Sequence, residues 1–267
     1  MPNWHDPELL LKDHLAVIKL DHALGGLYLW EFVSTFDYEW SIITGKRSYS
    51  WTIYVYLVCR LSALAAWCVM FIGLDYSKRI NCGAWESSFD GFAYLGLASA
   101  SFIILLRNYA IWERNRYILA VSIGVWLVSI GLNIRGIIMS QSLWESVTSS
   151  CIEAHVQRSL ANAIGILVSD IVLLVIMIVG LLRSRSASKD GLWRLLFSQG
   201  IIWLTLAGLV EVPPVVFMVL NLNDAWNLMF QPLEFIVLVI GATRMYRSLT
   251  DFDGDALLRY TLRLLIL

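Results

Sequence analysis

Runs of about twenty apolar residues recur along the chain, each closed by a short polar or charged stretch. At a rise of 1.5 Å per residue, about 20 such residues cross a hydrocarbon core of roughly 30 Å. Seven stretches reach that length and predict spans at 23–44, 51–74, 89–112, 117–139, 159–182, 195–220 and 225–243. None shows the two-residue alternation of a membrane barrel strand, and a helix satisfies its own backbone in lipid. The expected fold is therefore all-α, a seven-transmembrane-helix bundle. The first run is the least apolar, with Glu31, Asp37 and Glu39 inside it. Ahead of it, LLLKDHLAVIKL is broken by Lys12, Asp13 and His14 and follows no basic leader. Residues 1–17 thus read as a short amphipathic lead-in and not as a cleaved signal. Residues 18–250 form one membrane domain without internal repeat, and 251–267 a cytoplasmic tail.

Composition sharpens this picture. Of 267 residues, 58% are apolar and 15% charged, against about 45–50% and about 25% in soluble domains. That excess excludes a water-soluble enzyme and a disordered chain. A net charge of −1 leaves no cationic surplus for phosphate, so no nucleic-acid partner is expected. The expected partner is a lipid bilayer, and plasma membrane and endomembrane both fit a multi-pass chain. With seven spans, twelve Lys and Arg fall on the side of the C-terminus, among them Arg183, Arg185, Arg244 and Arg247, and five on the other. The positive-inside rule then places the N-terminus outside and the C-terminus in the cytoplasm. Cys82 and Cys151 both fall in outer loops, where an oxidising compartment favours a bridge between them; two independent thiols are the alternative.

The segments YLWEFVSTFDYEWSIITGKRSYSWTIYVYLVCR, RNYAIWERNR and ATRMYRSL resemble a family of integral membrane proteins numerous in mushroom-forming fungi and catalogued as a domain of unknown function. The resemblance covers about residues 20–250. It implies seven spans and a membrane location, and it carries over no functional residue. The layout is also similar to that of a G-protein-coupled receptor, with departures. The third span ends in Arg107-Asn108-Tyr109, the seventh reads Gln231-Pro232-Leu233-Glu234, and the third cytoplasmic loop has only about ten residues. Seven spans alone do not establish a function.

Ionisable groups inside the spans are the candidate chemistry, because each costs about 2.5–3.5 kcal/mol at mid-bilayer on insertion scales. Counted from the outer end of each span, Glu31, Asp170, Glu211 and Glu234 fall at about 12–17 Å depth. They are the candidate ligand-binding or acid-catalytic groups. Arg60, at about 21 Å, is the basic group expected within their reach. A polar mid-membrane cavity and a purely structural set of protonated, hydrogen-bonded carboxyls both accommodate these residues. Pro213 and Pro214 remove amide donors beside Glu211, and Pro232 does so near Glu234, which favours irregular backbone there. Trp30 and Trp203 lie deep enough to line a pocket. Asp37 and Glu39, with Lys46 and Arg47, read as an interfacial ion cluster.

No phosphate loop, His-Glu-x-x-His site, Gly-x-Ser-x-Gly elbow or magnesium-pyrophosphate Asp pair occurs, so no cofactor or metal is expected. No residue pattern identifies a cytoplasmic signalling partner. Two functions then stand side by side. One is receptor-like binding of a small lipophilic ligand. The other is an intramembrane acid-catalysed enzyme, resembling in size and span count the fungal terpene cyclases, with one of the four acids as general acid and Trp30 or Trp203 against a cation.

Overall fold

The computed structural model describes residues 7–45, 51–75, 80–112, 115–140, 142–145, 150–153, 160–184, 191–220 and 224–265. Side chains are described for these residues except 7–11, 143, 145, 150, 152–153, 184, 191–204, 207, 224–225, 249 and 251–265. The order is α1 (Pro7–Ser34), α2 (Phe36–Ile43), α3 (Thr52–Asp75), α4 (Cys82–Ile111), α5 (Arg116–Met139), β1 (Ser142–Glu145), β2 (Ser150–Glu153), α6 (Leu160–Ser184), α7 (Gly191–Leu220), α8 (Asp224–Leu228) and α9 (Gln231–Leu265). Apart from the β1–β2 hairpin, the described elements are helical. Five helical stretches are long and apolar enough to cross a membrane: Thr52–Asp75, Cys82–Ile111, Arg116–Met139, Leu160–Arg183 and Trp226–Ser248. Even the shortest long helix, at 24 residues, reaches about 36 Å.

The first helix departs from the sequence expectation. A span over 23–44 with a separate lead-in over 1–17 is replaced by one helix from Pro7 to Ser34 and a second, short one after Thr35; residues 1–6 lie outside the described residues. Lys12, Asp13 and His14 interrupt hydropathy, yet none of them breaks a helix as Pro does. The break comes where Ser34 and Thr35 hydroxyls both bond the Glu31 carbonyl, at 3.2 and 2.6 Å, competing with the backbone amides for that acceptor. At the other end, the expected tail from residue 251 continues α9 as far as Leu265. The hairpin was read as loop. It pairs Trp144 with Cys151, and the Ser142 hydroxyl ties it to Glu86 of α4 at 2.5 Å.

Packing follows the inverted logic of a lipid-facing bundle. In α5 the buried residues are Ser122, Ser129, Asn133 and Gly136, whereas Tyr117, Val121, Leu127, Val128, Ile134 and Ile138 are exposed. Small and polar residues face neighbouring helices because lipid gives apolar groups no incentive to hide, while close backbone approach rewards burial; the Ser122 hydroxyl and Asn133 Oδ1 have no hydrogen-bond partner among the described residues. Gly25 permits such an approach: a Cβ there would sit 2.3 Å from the Phe71 ring of α3. Another polar row joins α4 to α6. Asn108 Nδ2 donates to the Leu173 carbonyl at 3.0 Å and Trp112 Nε1 to that of Ile176 at 3.1 Å. Ser101, seven residues before Asn108, donates to Asp170 at 3.2 Å. Residues at i, i+7 and i+11 share one helix face. Gly180 leaves room for the Trp112 indole, 2.6 Å from where its Cβ would lie.

Contacts at the helix ends define two poles. At one, Cys82 is disulfide-bonded to Cys151 with Cα atoms 5.5 Å apart, His22 meets Asp75 at 3.1 Å, and Trp226 Nε1 donates to Asp13 at 3.0 Å. At the other lie Glu31, Glu39, Arg60, Arg244 and Arg247. The disulfide closes a loop with a sequence separation of 69; in the chain-entropy picture such a crosslink contributes about 4 kcal/mol. Cys82→Ser, Cys151→Ser and the double variant should each lower the thermal unfolding midpoint by the same amount. That midpoint is read in detergent micelles, and a double variant clearly worse than either single one would argue against the bridge.

Candidate functional site

The arginine pole shows how this fold handles buried charge. On α3, Tyr56 and Arg60 stand one turn apart and both reach Glu39 of α2. The Tyr56 hydroxyl donates to Glu39 Oε1 at 2.5 Å, and Arg60 Nη1 bonds the same oxygen at 2.5 Å. Arg60 also donates to the Thr35 hydroxyl and the Phe32 carbonyl, each at 2.9 Å, and lies 4.5 Å from the Phe32 ring centroid. Only 4% of the Arg60 side chain and 7% of that of Glu39 are exposed. Beside this pair, Glu31 Oε1 accepts from Arg244 Nε at 2.9 Å and from Arg247 Nη2 at 2.8 Å, and Oε2 accepts from Arg244 Nη2 at 2.5 Å. Tyr56 and Tyr246 stack at 5.1 Å, and Tyr38 bonds Thr250 at 2.8 Å. This network ties α1, α2, α3 and α9 together.

The four acids expected at one level therefore separate. Glu31 sits with Arg244 and Arg247, which follow Glu234 on α9 by ten and thirteen residues, or about 15–20 Å along the axis. Starting α1 at Pro7 shifts Glu31 toward the arginine pole, which is why the depth count misplaced it. Arg60 pairs with Glu39 and not with any of the four. Glu39 belongs to this buried network, whereas Asp37 is exposed; Lys46 and Arg47 lie outside the described residues. Nothing in composition marked Glu39 as buried. The available signal was the i, i+4 spacing of Tyr56 and Arg60 on a lipid-length helix, which puts a buried cation and a hydroxyl side by side on one face.

Asp170, Glu211 and Glu234 form an interacting set: Asp170 and Glu234 both act on Glu211, and Asp170 acts on Glu234. Asp170, ten residues into α6, and Glu211, nine residues from the end of α7, lie at about 15 and about 14 Å from the helix ends nearer the disulfide pole. Ser101 donates to Asp170. Glu211 is 1% exposed, and among the described residues neither of its carboxylate oxygens has a hydrogen-bond partner. Among the described residues, the groups that act on these three acids are the acids themselves and the Ser101 hydroxyl. Leu173, Leu174, Met177 and Leu238 form an apolar cluster a turn further along the same helices.

The remaining candidates divide. Pro213 and Pro214 lie inside α7, two and three residues after Glu211. There they deprive the carbonyls of Leu209 and Val210 of their usual donors. Pro232 occupies the first turn of α9, where no intrahelical amide is required. The carbonyl freed near Glu234 is thus not a mid-helix defect: the chain has already left α8 at Leu228. Trp30 is 72% exposed on the outer face of α1 and lines no interior. The Trp203 side chain lies outside the described residues. Among the described residues no set of three His, Cys, Asp or Glu is placed to hold a metal ion.

Compared with protein-family models and with curated proteins, the chain matches none.

Breaking a buried ion pair by removing one partner leaves an uncompensated charge and costs about 3–5 kcal/mol. Arg60→Met and Glu39→Leu should each lower the thermal midpoint strongly, while the double variant recovers much of the loss. Additive losses in scanning calorimetry or a detergent-based melt would contradict the pairing.

Proposed function

We propose that this chain is a seven-span, receptor-like membrane protein that binds a small lipophilic ligand at the Asp170–Glu211–Glu234 centre. The observation that carries the reading is Glu211: a carboxyl sealed from the surface, acted on by Asp170 and Glu234, with neither oxygen partnered among the described residues. An unsatisfied polar group in a dry interior costs free energy comparable to a lost hydrogen bond or more. A ligand that donates to Glu211 recovers that loss and so gains affinity and orientation. The proline pair beside Glu211 supplies carbonyls that can accept from the same ligand.

The span count takes in α1 and α7 beside the five apolar helices; both are long enough at 28 and 30 residues. An outer N-terminus and a cytoplasmic C-terminus are supported by the twelve-to-five bias of Lys and Arg and by a disulfide at the opposite pole from Arg244 and Arg247. The three motif segments support membership of the fungal seven-span family. Acid catalysis of the terpene-cyclase kind draws on the same carboxyl, but it takes second place. Of its two expected cation-stabilising indoles, Trp30 faces away from the centre.

Two experiments test these readings. A glycosylation acceptor inserted between β1 and β2 should be modified in cells, and a fluorescent protein fused after Leu267 should fluoresce; the reverse pattern overturns the orientation. For the site, the protein in lipid nanodiscs is screened by thermal shift against neutral isoprenoid alcohols and epoxides. A ligand at 100 times its Kd stabilises by about 2.7 kcal/mol. Hits should lose their shift in Glu211→Leu and keep it in Asp37→Asn. Equal shifts in the two variants would remove the site from this centre. Turnover of an epoxide by the wild type, abolished in Glu211→Gln, would favour the enzyme.

A further inference from the structure

We propose that the Asp170–Glu211–Glu234 centre selects a lipophilic cation, an ammonium group carried on an apolar chain, over neutral molecules of the same shape. The inference rests on the binding reading above and narrows its ligand class. At the arginine pole the fold supplies its own counter-charge: Glu31 holds two guanidinium groups and Glu39 one. At the centre, Glu211 is buried with neither oxygen partnered among the described residues, Asp170 and Glu234 from two other helices act on it, and no basic side chain among the described residues offsets them. Like charges gathered in a low-dielectric interior repel strongly unless protons or a cation intervene.

The kind of cation follows from geometry. Among the described residues no three acids converge as a metal requires, so a bare divalent ion is a poor fit. An ammonium group carries several donors on a larger head and can serve separated acceptors at once. Among the described residues the two Glu211 oxygens are without donors, and Asp170 accepts from Ser101 at 3.2 Å. The apolar part of the ligand has its counterpart next to the acids: Leu173 and Leu174 follow Asp170 by three and four residues, and Leu238 follows Glu234 by four. At those spacings they share the acids' helix faces, so an alkyl chain leaving the ammonium meets hydrocarbon.

The test uses dodecylamine as probe, with dodecanol as its neutral counterpart, on the full chain in nanodiscs. Thermal midpoints are read for wild type, Glu211→Gln and Asp170→Asn, two variants that keep side-chain volume. The amine should raise the wild-type midpoint well above any effect of the alcohol, and each substitution should weaken apparent amine affinity about tenfold or more. An amine effect of equal size in wild type and both variants is a bilayer effect and overturns the proposal. Equal stabilisation by amine and alcohol, lost in Glu211→Gln, overturns the cation preference while the binding reading stands. Silence from the amine together with hits among the neutral isoprenoids has the same meaning. Silence from every compound overturns both.

Discussion

A carboxylate taken out of water must find a proton, a counter-ion or a set of hydrogen-bond donors, and the interior of this bundle is organised around that demand. At one pole the demand is met within the chain. Glu39 sits between Tyr56 and Arg60, and Glu31 between Arg244 and Arg247. Because these partners come from α1, α2, α3 and α9, neutralising the acids also fixes the helices against one another. At mid-bundle both oxygens of Glu211 lack a partner among the described residues, whereas Glu39 leaves only Oε2 without one and holds Arg60 through Oε1, and that difference separates the structural acids from the candidate functional ones.

The rest of the packing is consistent with assembly in lipid. Apolar side chains cover the outside of α5 while Ser122, Ser129 and Asn133 turn inward. Burial of hydrocarbon contributes little when the solvent is itself hydrocarbon, so contact quality and polar pairing set the arrangement. The row from Ser101 through Asn108 to Trp112 fastens α4 to α6 and positions Asp170. The bridge from Cys82 to Cys151 then holds the hairpin over the end of α4.

Hydropathy made the helices between residues 51 and 220 legible to within one or two residues except at the starts of α4 and α7, which begin seven and four residues before the apolar runs at 89 and 195. The first helix was not legible in that way. Lys12, Asp13 and His14 lower hydropathy without ending a helix, whereas Ser34 and Thr35 end one through hydrogen bonds that a hydropathy window does not see. Misplacing α1 carried Glu31 to the wrong depth. Asp170, Glu211 and Glu234 were readable as a group because apolar runs isolate them and depth can be counted along a helix. The pairing of Glu31 with Arg244 and Arg247 spans more than two hundred residues, so no local pattern reveals it. The segments that hold Glu31 and Arg60 and that hold Arg244 and Arg247, one near each end of the chain, meet in that network.

The account stands on Asp170 and Glu211 acting on each other while Glu31 acts elsewhere, and a double-mutant cycle on unfolding free energy measures this directly. Sites more than about 7–10 Å apart with no shared partner add within about 0.5 kcal/mol. Asp170→Asn and Glu211→Gln should be clearly non-additive, the first substitution relieving the repulsion that the second would otherwise relieve. Glu31→Gln and Glu211→Gln should simply add. Additivity in the first cycle, or strong coupling in the second, would contradict the separation of one acid from the other three.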